Sequence, residues 1–573
     1  MKLALAPFAL SLLPFTLAQD CPQKLIAADG DTSDEAGYDV AIDGDVAFVG
    51  ARFESQLGSS AGAVYLWRRG PSGWFESQKL LGSAQLAFDE LGRSVDALGE
   101  LMLAGARGDD SFGSNSGAAY VFRGAGGGAY VEEIRLLAPD AEAGDRFGAE
   151  VVLGLLEVAP GIVQEWAFVG APDEDDRGNA AGAGYAFVND PVLGWSFTQK
   201  LLANDGQAFD RFCSALAVDG PVLVCGAFGD DDRGADAGAA YIRRYDPLSG
   251  TWIEEAKLRA SDGLPGDQFG WQVAVAGDVA VIGAPRADTL GLDSGSAYIF
   301  RYDTVLGVWS EEQKLVAPDG AAGDAFGVDV AIEGERIVVG ADAHDGAAVD
   351  TGAVYVFERD AVTGAWLLVA KAAAADPDAG DLFGVTIDLS GGRLISGAMR
   401  DDQRANNAGA AYVYDLNAVD RNGDAIPDAC QSAGLAFCTA SANSTGRPAS
   451  IAALGSSSLA ANGVTLWVSD LPQNVLGYFI VSQGTLEIPN AGGAQGTLCI
   501  ASASLGRYAG NVLSSGALGR VSLPIDALAL PTPLGNVAAS AGETWNFQLW
   551  HRDAVGGSAT SNFSDAVAVQ FQQ

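Results

Sequence analysis

The chain has 573 residues and a formal net charge of -40, with 33 basic against 73 acidic side chains. Such a field repels phosphate, so nucleic acid and anionic membrane surfaces are excluded as partners, and cations and basic surfaces are favoured. Two histidines, His344 and His551, leave little room for a histidine metal site or triad, and the length calls for at least two domains.

Residues 1–18 carry the parts of a secretory signal: Lys2, an apolar run over 3–17, and the small-residue cleavage site Thr16-Leu17-Ala18. Asp20, directly before Cys21, departs from a lipoprotein pattern, and no later stretch is apolar enough to span a bilayer. The expectation is a secreted or cell-surface chain whose six cysteines form disulfides.

From residue 19 to 415 one unit recurs seven times. Its alignment glycines are Gly50, Gly105, Gly170, Gly226, Gly283, Gly340 and Gly397, at steps of 55, 65, 56, 57, 57 and 57 residues. Tyr65, Tyr120, Tyr185, Tyr241, Tyr298, Tyr355 and Tyr412 keep the same steps. In the fifth copy the first predicted strand follows Phe269-Gly270, a Gly277-Asp278 turn leads to the second over 279–284, the third covers 295–302, and the fourth covers 309–315. Runs of Val, Ile and Ala in the middle strands suit burial on both faces, and the polar fourth strand suits an edge. Four antiparallel strands repeated seven times predict an all-β, seven-bladed β-propeller.

The fourth strand bears a Lys-Leu signature at Lys79, Arg135, Lys200, Lys257, Lys314 and Lys371, after copies one to six. Copy seven has none, and the missing one stands at the front as Gln23-Lys24-Leu25. The predicted ring therefore closes by residues 23–27 pairing near 410–414. Trp195, Trp252, Trp309 and Trp366 recur once per blade and read as packing residues.

These residues resemble the FG-GAP repeat of integrin alpha-chain propellers and of exported bacterial proteins. Phe-Gly is literal at Phe147-Gly148, Phe269-Gly270, Phe326-Gly327 and Phe383-Gly384, and Gly-Ala-Pro at 170–172 and 283–285. The resemblance implies a propeller with a binding or adhesion role. The D-x-[DN]-x-D-G calcium loop of integrin-type repeats is replaced here by tight turns such as Asp43-Gly44 and Glu333-Gly334, and by an apolar stretch over 155–164 in copy three. Integrin calcium sites are therefore not carried over.

Strand alternation sends the two-to-three and four-to-one connections to one face, and both are acidic. The first set holds Asp109-Asp110, Asp173 with Asp175-Asp176, Asp230-Asp231-Asp232, Asp342 with Asp345, and Asp401-Asp402; the second holds Asp89, Asp145, Asp210, Asp267, Asp324 and Asp381, with Glu35 nearby in copy one. They read either as a face for cations or a basic partner, or as turn caps that keep the surface soluble.

Residues 416–432 form a linker in which Asp420, Asn422, Asp424 and Asp428 space side-chain oxygens at alternate positions, with the Ile426 carbonyl between them. This is the first part of an EF-hand-type loop and resembles thrombospondin- and dockerin-type loops, although Gln431 stands where the last acid belongs; structural calcium is the expected cofactor. Residues 433–573 lose lysine, gain Ser, Ala, Gly and Asn, and predict a β-sandwich. Its ending is similar to a terminal domain of exported planctomycete-type proteins. His551, Arg552 and Asp553 are neighbours on one predicted strand and so point to alternate faces.

Cys213 and Cys225 flank the Asp219-Gly220 turn and are expected to pair. Cys21 with Cys430 would latch the ring, and Cys438 with Cys499 would staple the last domain, with Cys430–Cys438 as the alternative. No catalytic residue stands out. The favoured reading is a non-enzymatic extracellular binding or adhesion protein that meets a basic or cation-bridged protein or glycan; the alternatives are a carboxylate-dependent hydrolase or lyase in the propeller channel, or a structural spacer. A deep pocket with two carboxylates and a basic or aromatic partner favours the enzyme, and a flat acidic face favours binding.

Overall fold

The computed structural model describes residues 22–417 apart from 71, 72, 347 and 375, and most of residues 434–572. The leader, Cys21, Cys430 and the candidate calcium loop lie outside the described residues. The chain divides into two compact units.

The first unit contains seven four-stranded antiparallel sheets. The fifth is typical: Val273–Ala276, Val279–Ala284, Ser296–Asp303 and Val308–Leu315, hydrogen-bonded in sequence order. Its second strand is buried at every position, as an apolar run without alternation requires, while its fourth alternates towards solvent. That outer strand carries a register shift opposite Ile299/Phe300, and the other blades with a complete Lys-Leu strand shift at the matching place. A bulged, lysine-bearing edge resists pairing with other chains.

The seventh sheet runs Phe383–Ser390, Arg393–Ala398, Ala410–Asp415 and then Gln23–Leu25, with Lys24 opposite Tyr412 and Leu25 opposite Ala411. The first strands of successive sheets lie side by side, and that of the seventh lies beside that of the first. The ring is therefore closed by the N-terminal strand. No blade has a core of its own: Val281, Ile299 and Leu315 of the fifth share one with Phe326, Val339 and Tyr355 of the sixth.

The alignment glycines mark where backbones of neighbouring blades meet. A Cβ on Gly283 would lie 2.1 Å from the carbonyl oxygen of Gly327, and one on Gly397 would lie 2.1 Å from that of Gly37. Only hydrogen fits there, which explains the strict repeat of this residue. In copy three the apolar stretch extends a hairpin, Glu150–Ala159 with Ile162–Ala171, beyond the length of the other blades.

Cys213 and Cys225 hold free, buried thiols in this structure, not the expected disulfide. Cys225 stands opposite Leu216 in the ladder, whereas Cys213 takes the place of the Phe-Gly glycine, ahead of the strand, at φ 60°. Burial first, then a hydrogen bond with Cys225, pushes the Cys213 thiol up.

In the second unit a sheet ordered Leu435–Phe437, Ser558–Gln570, Thr544–Val555, Leu476–Ser482, Gly506–Arg507 and a sheet of Ser450–Leu454, Thr465–Ser469, Val521–Pro524 share one apolar core. Leu466 and Leu523 face Phe479, Phe547 and Val567 across it. Cys438 and Cys499 are joined by a disulfide. His551 and Asp553 are buried and Arg552 between them is exposed, as strand alternation requires.

Candidate functional site: the mouth of the propeller channel

One polar unit recurs in the blades and accounts for most of the acidic loops. In the fourth blade, Lys257 Nζ lies 2.8 Å from Asp205, 2.6 Å from Asp230 and 2.6 Å from Asp232. The Tyr241 hydroxyl donates to Asp205 at 2.9 Å and to Asp230 at 3.1 Å. Tyr65, Tyr298, Tyr355 and Tyr412 donate likewise to Asp29, Asp262, Asp319 and Asp376. Burial opposes ionisation of Asp205, but hydrogen bonds from Lys257 and Tyr241 hold its carboxyl below the ordinary range. Glu54, Asp109, Glu174, Asp230 and Asp401 occupy the same step of the repeat, and each meets the basic residue of its blade: Lys79, Arg135, Lys200, Lys257 and Lys24. The step reads Ala287 in blade five. In blade six it reads His344, whose ring bridges Lys371 at 2.7 Å and Asp324 at 2.8 Å.

The predicted acidic residues are thus largely engaged. Asp173 pairs with Arg146, Asp176 with Lys200, and Asp232 with Lys257 and Arg259. Asp110, Asp231 and Asp402 are exposed, and each accepts a backbone amide five residues on, closing its own loop. Asp175 is exposed. Asp89, Asp145, Asp210, Asp267, Asp324 and Asp381 are buried, and each accepts the amide three residues before it. This is the turn-capping alternative. The tryptophans pack: Trp252 is 1% and Trp366 is 2% exposed. The glutamine before the lysine, unremarked in the sequence, clamps the next blade; Gln313 receives the Trp366 amide at 2.9 Å and donates to its carbonyl at 2.8 Å.

Inside the ring the first strands are joined by side chains. Asp39 accepts the Val95 amide at 2.7 Å, Asp96 that of Leu153 at 2.6 Å, Asp329 that of Ile387 at 2.7 Å, and Asp388 that of Ile42 at 2.7 Å. Each carboxylate satisfies the open edge of the following blade. Burial, partly offset by those amides, pushes Asp39 and Asp388 up to about 6 and Asp96 up to about 7.

At the end of the channel that bears the two-to-three loops lies a cavity of about 340 Å³. The residue after each Phe-Gly step lines it: Tyr38, Arg93, Ala149, Ser214, Trp271, Val328 and Val385. Phe228, Arg107, Arg146, Arg211, Glu150, Asp173 and Asp342 complete the wall with Asp39 and Asp329. Arg107 pairs with Glu90, and Arg146 with Asp173. Arg93 lies over the Tyr38 ring at 4.7 Å, and its Nε and Nη1 are buried with no hydrogen-bond partner. Burial and then the charge of Arg107 lower its pKa to about 9, so it stays charged at neutral pH. The Glu150 carboxyl accepts no hydrogen bond among the described residues; burial and then the charge of Asp39 push it well up.

The FG-GAP repeat family matches residues 22–67, 74–122, 195–243, 252–300, 309–357 and 366–414. The chain belongs to this family. The unmatched interval, 123–194, contains the lengthened hairpin of blade three. No curated protein matches the chain. Among solved structures it is similar to a protein from Lactobacillus plantarum, at 12% identity over 61% of this chain and 86% of that one, with a TM-score of 0.38. It is also similar to Sqt1 of Saccharomyces cerevisiae, at 10% identity over 70% of this chain and 99% of that one, with a TM-score of 0.37.

Proposed function

We propose that this is an exported, non-enzymatic binding protein whose ligand seats at the channel mouth and not on the tips of the acidic loops. One observation carries the reading. The glycine of the Phe-Gly step recurs in six of seven copies, yet the residue after it takes six identities in seven copies, and all seven line the cavity. Repetition preserves what the ring needs; the position that diverges is the one that faces a ligand. The cavity volume falls at the lower end of ligand pockets, roughly 300–1,000 Å³. The test is a glycan and protein array probed with the mature chain and with Trp271→Ala. Capture lost in the variant supports the reading, and equal capture by both refutes it.

A channel enzyme is the second reading, because the cavity sets Glu150 and Asp342 beside Arg93 and Tyr38. The amide bonds of Asp39 and Asp329 commit those two carboxylates to the ring, so Glu150 and Asp342 are the pair such an enzyme would use. Product release from a captured oligosaccharide, abolished by Glu150→Gln, would establish the enzyme.

Export rests on the leader over 1–18, the Cys438–Cys499 disulfide and the family's repeats. Structural calcium at Asp420, Asn422, Asp424, the Ile426 carbonyl and Asp428 rests on the spacing of hard oxygen donors. Calcium titration of the wild-type chain and of Asp424→Ala tests it.

A further inference from the structure

We propose that the channel mouth takes a small hydroxylated carboxylate of sugar-acid size, its carboxylate on Arg93, a hydroxyl on Ser214 and its apolar face against Trp271. This rests on the reading of the mouth as the ligand site.

Arg93 carries the inference. The other arginines of the cavity have acidic neighbours: Arg107 lies 2.8 Å from Glu90, Arg146 lies 2.9 Å from Asp173, and the more exposed Arg211 lies 4.0 Å from Asp173 and over the Phe228 ring. The Arg93 guanidinium has no ion pair and no hydrogen bond among the described residues, although the half-buried side chain lies against Tyr38 in the channel with Nε and Nη1 out of reach of solvent. Guanidinium nitrogens that are shielded from water with no hydrogen-bond acceptor are costly, and the planar fork matches a carboxylate through two parallel hydrogen bonds. Ser214 lines the same cavity, and its Oγ is likewise buried without a partner, so it can donate to or accept from a hydroxyl. Trp271 and Phe228 meet with ring centroids 4.9 Å apart and give the wall an apolar surface. Glu150 faces the same space, and its raised pKa favours the neutral form, which weakens its repulsion of an anion and lets it donate a hydrogen bond. The volume, about 340 Å³, suits one ring or a short chain, not a polymer threaded through the mouth.

The test is calorimetry on the full mature chain with sodium glucuronate, glucose, sodium acetate and inorganic phosphate. The wild type is compared with Arg93→Met, Arg93→Lys and Ser214→Ala, each first shown by its melting curve to be folded. Glucuronate should bind at least tenfold tighter than glucose or acetate. Arg93→Met should abolish that binding, Arg93→Lys should weaken it at least tenfold because the fork is lost, and Ser214→Ala should weaken it several-fold. Glucose or acetate binding as tightly as glucuronate, phosphate binding tighter, or indifference to Arg93→Met would each overturn the proposal. Silence of all four probes overturns it too. If an array ligand is then still captured through Trp271, the channel reading survives alone; if capture ignores Trp271, both fall.

Discussion

Lys24 Nζ lies 2.5 Å from Asp401 Oδ2, joining the first described strand of the propeller to its last blade. The same lysine reaches Asp376 at 2.9 Å, so it performs for blade seven what Lys257 performs for blade four. Asp401 is 3% exposed at its side chain, and the pair sits at the seam of the ring.

The seam should therefore be sensitive to one substitution. Lys24→Met removes the cation from buried Asp401 and leaves it only the Tyr412 hydroxyl and the Gln403 amide among the described residues, and loss of one partner of a buried pair costs about 3–5 kcal/mol. Lys314→Met is the control: blade five has Ala287 at the matching step, and Lys314 meets only the half-exposed Asp262. Its loss should cost about 0–1 kcal/mol. Denaturant unfolding of the propeller checks both, and equal losses would contradict the closure described here.

The blade contacts set a second expectation. Gly283→Ala drives a Cβ into the Gly327 carbonyl and should destabilise by about 3 kcal/mol or more, since neither backbone can yield without moving a blade. Gly277, in the turn of the same blade, has φ +58° and nothing within 4 Å of a built Cβ. Gly277→Ala should cost only the left-handed conformation, about 1–2 kcal/mol. Thermal melts of the two variants give the comparison.

Stability should pass through a maximum on the acid side of neutrality. Asp39 and Asp388, at about 6, and Asp96, at about 7, lie above the ordinary 3.8. A carboxyl raised in the folded state favours folding when protonated, so its contribution grows as pH falls from about 7 towards 4. Asp205, Asp262, Asp319 and Asp376 are lowered by their lysine and tyrosine partners against the opposing effect of burial, and their contribution is lost as pH falls below the ordinary value. The melting temperature should be higher at pH 5 than at pH 8 and should drop again below pH 4. A steady rise from pH 5 to pH 8 would contradict the assignment of the channel carboxylates.

Cys213 and Cys225 should resist alkylation in the native protein and accept it after unfolding without reductant. Peptide mapping reads this directly. A peptide pair joined through these two residues would show that the thiols close into a disulfide after all.

The ring was legible in the chain because its geometry is written in single residues. The glycines at 50 to 397 repeat where backbones touch, and the displaced Gln23-Lys24-Leu25 announces the closing strand. The ion pairs that engage the acidic loops are not legible in the sequence for a physical reason. Strand periodicity places Asp230 and Lys257 in adjacent elements, but it does not say that the lysine reaches back over the loop to Asp205 as well. The expected Cys213–Cys225 bond is absent because the hairpin about Asp219-Gly220 sets Cys225 against Leu216, three residues beyond Cys213. The channel mouth was hidden because its residues come from seven distant places. Their signal, divergence directly after the recurring glycine of the Phe-Gly step, becomes meaningful once the ring brings Tyr38, Arg93 and Trp271 to one cavity.

Footprinting of the mature chain by hydroxyl radicals, with and without a ligand captured from the array, tests the central claim most directly. Protection should concentrate at Tyr38, Phe228 and Trp271 around the channel mouth. Protection confined to the exposed loops around Asp110, Asp231 and Asp402, with those aromatic residues unchanged, would contradict it.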